Sequence, residues 1–171
     1  SIWSKRLDCY SIVINDDDSC GLSEKISVWL WKIGEVFMMK IVVAIDSLKG
    51  SLTSIQAGEA IEKGIKKVDL EAEVVIKPLA DGGEGCLDAQ TAMGKAPIGV
   101  AKLAKKYGKL VLGFSGAVTK GATACNEAGI DAYFPIVRSA VSLEDAMKKK
   151  NAQENLIDTV EQVFRVIKAL K

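Results

Sequence analysis

From Met39 onward the apolar residues alternate between two periods, and that alternation predicts strands and helices in turn. Lys40-Ile41-Val42-Val43-Ala44-Ile45 is a continuous run rich in β-branched residues, as in a strand buried on both faces of a parallel sheet. It ends in a polar turn, Asp46 to Ser51. Thr53 and Gln56 stand at capping-box spacing, and Ala57, Ala60, Ile61, Ile65 and Val68 line one face of the helix that follows. A second strand, Glu73 to Ile76, runs through Pro78 to the loop Asp81-Gly82-Gly83-Glu84-Gly85. Pro97 suits the first turn of a helix ending near Tyr107, with Gly108 just beyond it. Leu110 to Phe114 reads as a third strand with its turn at Ser115-Gly116. A short helix then runs to Ala128, closed by Gly129, and Ile130 to Ile136 is a fourth strand. Ser142 and Asp145 repeat the capping spacing, in a weaker form, before a last helix carrying Ile157, Val160, Phe164 and Ile167 on its apolar face.

Residues 1 to 38 do not share this rhythm. They hold Trp3, Trp29 and Trp31 and the acidic triplet Asp16-Asp17-Asp18. Only their second half shows a period, with Ile26, Trp29, Leu30, Ile33 and Phe37 at helical spacing behind Ser23 as N-cap. A packing helix is a simpler account of that stripe than a partner-binding one. The fold class expected is α/β, a parallel sheet with helices on both faces. Ligands of such sheets bind outside the carboxyl ends of the strands, where both polar turns fall.

Composition narrows the chemistry. The 171 residues suffice for one domain with a real core, and 49% hydrophobic with 26% charged residues is the balance of a globular chain. A net charge of +1 excludes the basic excess that nucleic acid requires, so no nucleic-acid partner is expected. There is no histidine, which rules out Ser-His-Asp and Cys-His catalysis and Cys/His zinc sites. Cys9, Cys20, Cys86 and Cys125 form no CxxC pair and fit a reducing cytoplasm. The most apolar run, Ile26 to Met39, is interrupted by Lys32 and Glu35, so neither a membrane span nor a signal peptide is expected.

What remains for chemistry is carboxylates, lysines, hydroxyls and backbone amides. Asp46, Ser47 and Lys49 lie just before a helix N-terminus, which favours anions. Three glycines surround Glu84 next to Asp81, and glycine lets backbone approach a phosphate or sugar acid closely. Phosphoryl transfer uses such a set: cations, amides and carboxylates around the moving phosphate. The Walker pattern is absent, so a P-loop is not supported. On spacing alone, turn and capping roles account for these residues equally well.

Met39-Lys40-Ile41-Val42-Val43-Ala44-Ile45-Asp46-Ser47-Leu48-Lys49-Gly50-Ser51-Leu52 is similar to the opening of bacterial glycerate kinases. Pro78 to Gly85 resembles their ADGGEG motif. Leu87-Asp88-Ala89-Gln90-Thr91 with Gly94-Lys95-Ala96-Pro97-Ile98-Gly99-Val100-Ala101 resembles their LD-x-QT…GKAPxGVA motif, and Gly129 to Ala132 and Ser142 to Ala146 match the closing region. The resemblance covers Met39 to Lys171. It implies a two-domain α/β kinase that transfers phosphate from ATP to D-glycerate, with Mg2+, in an interdomain cleft. Carried over by position, it places Asp46, Ser47, Lys49, Asp81, Gly82, Gly83, Glu84, Asp88, Gln90, Thr91 and Lys95 at or near that cleft. Lys49 or Lys95 would be the phosphate cation, and Asp46 or Asp88 the base or magnesium ligand. The sequence leaves open the hydroxyl phosphorylated and the oligomeric state, a homo-oligomer included.

In the family the ADGGEG and LD-x-QT motifs are far apart; here one Gly83-Glu84-Gly85 serves both. The join reads as an internal deletion near residues 84–87, with Cys86 where the closing motif usually has arginine and the opening motif threonine. Residues 39–171 would be the family's discontinuous domain, a Rossmann-like or flavodoxin-like sheet without the inserted domain. Residues 1–38 would be an upstream extension, either a reading-frame artefact or a cover for apolar surface that the inserted domain once buried. Positioning between two walls contributes on the order of 7–11 kcal/mol in favourable cases. A one-walled site is therefore expected to be slow or inactive.

Overall fold

The β-branched run at Lys40–Ile45 is a strand buried on both faces, and the rest of the fold is organised around it. The computed structural model describes residues 9–15, 39–48, 50–79, 86–87 and 96–170. In chain order these form β1 (Cys9–Asn15), β2 (Lys40–Ile45), α1 (Ser54–Lys66), β3 (Glu73–Pro78), β4 (Cys86–Leu87), α2 (Ala96–Lys106), β5 (Leu110–Ser115) and β6 (Ala117–Val118). A 3-10 turn at Lys120–Thr123 leads into α3 (Ala124–Glu127), then β7 (Ala132–Pro135), α4 (Leu143–Met147) and α5 (Lys149–Ala169).

The main sheet has the order β3-β2-β1-β5-β7. β2 pairs parallel with β3, and β5 parallel with β7, as the alternation of strands and helices predicts. The sheet departs from the expected all-parallel one at its centre. β1 pairs antiparallel with β2 on one side and with β5 on the other, so the sheet is mixed. The reason is local: β1 belongs to no βαβ crossover, and crossovers are what enforce parallel pairing. With β1 set aside, the strands run second, first, third, fourth, a flavodoxin-like order. β4 and β6 form a separate parallel pair.

Helices cover both faces. On one, Ile41, Val43, Ile45, Leu112 and Phe114 meet α1 through Ala57, Ala60, Ile61 and Ile65, and α5 through Leu156, Val160 and Phe164. On the other, Val42 and Val111 meet Ile98, Ala101 and Ala104 of α2, with Cys125 and Ile130. Val42 between Ile41 and Val43 shows the two-residue alternation of a strand.

The local signals hold in detail. The Gln56 amide donates to Thr53 Oγ1 and the Thr53 amide to Gln56 Oε1, both at 3.2 Å, completing the capping box. At Ser142 half of a box forms: the Asp145 amide donates to Ser142 Oγ at 3.1 Å, and that hydroxyl turns back to Asp145 Oδ2 at 2.8 Å. Gly108 and Gly129 take φ of 65° and 112°, left-handed values suited to helix ends. The fourth strand is narrower than expected, Ala132–Pro135: before it the Ile130 amide turns back to Cys125 O, and just past it the Ile136 amide still bonds Ser115 O of β5.

Candidate active site

Because β2, β3, β5 and β7 all run the same way, their carboxyl ends share one edge of the sheet. The Leu79 amide donates to Ile45 O at 2.7 Å and the Ile136 amide to Ser115 O at 2.8 Å, so the chain leaves neighbouring strands in register. β1 enters the sheet at the same edge, with Tyr10 opposite Ile45 and Cys9 opposite Ser115.

Asp46 is the first residue past β2 and is only 6% exposed. The Ser47 amide donates to its Oδ1 at 2.6 Å, which fixes the carboxylate's orientation. The turn beyond is clasped shut. The Leu48 amide donates to Leu52 O at 2.8 Å, and the Ser51 and Leu52 amides return to Leu48 O at 2.8 and 3.1 Å. Leu48 and Leu52 are both buried in the core beneath α1, so the turn is anchored by its own apolar residues. Gly50 closes it at φ 85°, where a side chain would be strained, and an added Cβ would lie 2.5 Å from Met147 Cε. α1 starts immediately afterwards with no acidic residue in its first turn, so its positive end is not neutralised locally.

Of the residues singled out in the sequence, Asp46 and Ser47 are brought together here. Lys49, Asp81, Gly82, Gly83, Glu84, Asp88, Gln90, Thr91 and Lys95 lie outside the described residues. Two features at this edge escaped the sequence reading. One is the Leu48/Leu52 clasp, whose only signal is a leucine at each end of a polar turn. The other is Ser115, fully buried at the end of β5, whose hydroxyl donates to Ala117 O at 2.6 Å. It stood out in the sequence only as part of a Ser-Gly turn.

Among the described residues no group of three or more His, Cys, Asp or Glu side chains gathers as a metal cage. A single carboxylate at a strand end does fit magnesium, which is commonly held by one or two carboxylates with substrate phosphates and water supplying the rest. A cavity of about 620 Å3 lies elsewhere, between β7 and α5. Its lining is mainly apolar, and its cation, Arg138, is engaged by Asp158 at 2.7 Å, so it lacks a free positive group for phosphate. The perturbed carboxylates belong to the C-terminal helices α4 and α5. Hydrogen bonds from Lys67 and then Arg165 hold Glu161 below its ordinary value, and Lys148 and then Ser142 do the same for Asp145. Among the described residues no helix is long and apolar enough to cross a membrane.

The model of the Glycerate kinase family matches the chain in two stretches, residues 41–89 and 83–168. The stretches overlap at residues 83–89, where one Gly-Glu-Gly serves two motifs. A glycerate kinase of Bacillus subtilis is 41% identical over 122 residues, covering 70% of this chain and 31% of that protein. A glycerate kinase of Haemophilus influenzae is 37% identical over 121 residues, 68% of this chain and 30% of that protein. A glycerate 2-kinase of Escherichia coli is 38% identical over 95 residues, 53% of this chain and 25% of that protein. The chain thus spans about 30% of the length of the first two relatives. No solved structure matches it. The two family stretches run from β2 to α5 and take in both parallel strand pairs of the main sheet, and on that ground the chain belongs to the glycerate kinase family.

Proposed function

We propose that this chain carries part of the machinery for transferring phosphate from ATP to D-glycerate. The observation behind the reading is Asp46, held by the Ser47 amide at the carboxyl end of β2 on the turn that leads into α1, within a family match. A buried, oriented carboxylate on a turn that leads into a helix N-terminus suits a substrate hydroxyl, with the helix end available to a phosphate. Lys49 or Lys95 would neutralise the transferring phosphate, and Asp88 would share or replace the role of Asp46. Ser47, Asp81, Gly82, Gly83, Glu84, Gln90 and Thr91 would position ATP and glycerate. Bound magnesium, held by Asp46 or Asp88, would supply positive charge to the phosphates.

Residues 39–171 are, in this reading, the family's discontinuous domain joined directly near 84–87, and the overlap of the two stretches at 83–89 supports it. The protein works on small molecules in the cytoplasm. The test is 31P NMR of folded protein with ATP, Mg2+ and D-glycerate. Slow formation of phosphoglycerate is expected, and its chemical shift distinguishes the 2- from the 3-phosphate. Turnover equal to buffer ends the claim of activity.

Coverage of about 30% of each relative favours a second reading, in which the edge binds ATP-Mg or a small acid without turnover. Calorimetric titration separates the two: heat with either ligand and no product supports binding alone, and no heat with either counts against it.

A further inference from the structure

Each half of the sheet comes from one family stretch. β2 and β3 lie in the first, β5 and β7 in the second, and the chain passes from one to the other through their overlap at 83–89. Among the described residues no ladder joins β2 directly to β5. The strand between them, Cys9–Asn15, lies outside both stretches. It is in register with β2 from Tyr10↔Ile45 to Asn15↔Lys40, and with β5 from Cys9↔Ser115 to Ile14↔Leu110.

Strands in a sheet lie about 4.8 Å apart, so β2 and β5 flank a seam roughly 10 Å wide. Held at that separation without an occupant, both inner edges would present rows of unpaired amides and carbonyls in the middle of the fold, next to the buried Val43 and Phe114. A single strand satisfies both edges at once. The segment that does so pairs antiparallel on both sides, unlike every other pairing in the main sheet.

We infer that the seam between β2 and β5 is a strand-binding site, and that Cys9–Asn15 is a completing strand that makes one sheet of the two family segments. The recognition is main-chain pairing of the kind that seats an extended peptide in a sheet. β1 is therefore the element on which the union of the two halves depends.

Ile12→Pro in the full chain removes a ladder donor from the middle of β1. Hydrogen exchange of the β2 and β5 amides is expected to speed up together, by about tenfold or more. Wild-type protection in both strands would overturn the inference. A second protein keeps it testable if that variant does not fold: the full chain with a specific protease site introduced within residues 16–38 and cut after folding. The fragment bearing β1 should co-elute with the remainder and be displaced by an excess of isotope-labelled peptide spanning residues 9–15. Departure of the fragment together with loss of β2 and β5 protection also supports the seam. Departure with both strands still protected overturns it.

Discussion

The two faces of the sheet are covered very differently. Beneath α1 and α5 lies the larger core, with Phe114, Phe164, Ile41, Ile45, Ile61, Ile65 and Leu156 all fully buried. Beneath α2 the core is smaller and built mostly from short side chains, Ala101, Ala104, Ala122 and Cys125, around Ile98, Val111 and Ile130. The two helices of the thick face also come very close together. A Cβ on Gly64 of α1 would lie 2.7 Å from Ile157 O and 2.9 Å from Val160 Cβ in α5. The candidate turn is clasped into this thick face through Leu48 and Leu52. The position of Asp46 thus rests on the better-packed side, which teaches that α1 serves both as a scaffold wall and as the helix into which the site's turn leads.

The contrast can be broken most severely at Phe164. Phe164→Ala empties the centre of the thick face and should cost about 3–5 kcal/mol in urea unfolding. A loss under about 1 kcal/mol would mean that α5 is not a structural wall. Gly64→Ala comes next. Alanine gains helix propensity, but the Ile157 carbonyl is backbone and cannot turn aside, so overpacking should dominate at about 1–3 kcal/mol. A stabilised variant would show that the two helices separate freely. On the thin face Ile98→Val should cost only about 0.5–1.5 kcal/mol, read by the same unfolding curves.

The smallest effect sharpens the comparison through pH. Glu161 of α5 meets Lys67 at the end of α1 at 2.9 Å and Arg165 at 2.8 Å, and its carboxyl titrates below the usual 4.5. A depressed folded value means the contribution is fully present above 4.5 and is lost as pH falls through the folded value. Wild type should melt slightly higher than Glu161→Gln near neutrality, and the gap should close in acid. A gap that stays constant below pH 4.5 would remove this pair from the account of how α1 is tied to α5.

Legibility in the sequence followed the range of the interactions. The Thr53/Gln56 box, the left-handed Gly108 and Gly129, and the strand Lys40–Ile45 depend on neighbours within a few residues, and all were readable. β1 was not. Its segment sits beside an acidic triplet and carries no crossover, and strand formation depends on partners more than on intrinsic preference. Those partners, β2 and β5, lie far along the chain. At the site, Asp46 and Ser47 were readable as a strand-end turn, whereas the leucine clasp depends on a core that spacing alone does not reveal. The family motifs identified the lineage because they are contiguous words, which composition and periodicity cannot supply.

The central place of β1 also sets the order of events during synthesis. Cys9 pairs with Ser115, so the strand at the middle of the sheet is made before both of its neighbours and must wait for one of them on the order of a hundred residues later. At about 5–20 residues per second, that wait is on the order of 5–20 s. During it, one edge of the growing β1–β2–β3 ribbon stands open beside every other nascent chain.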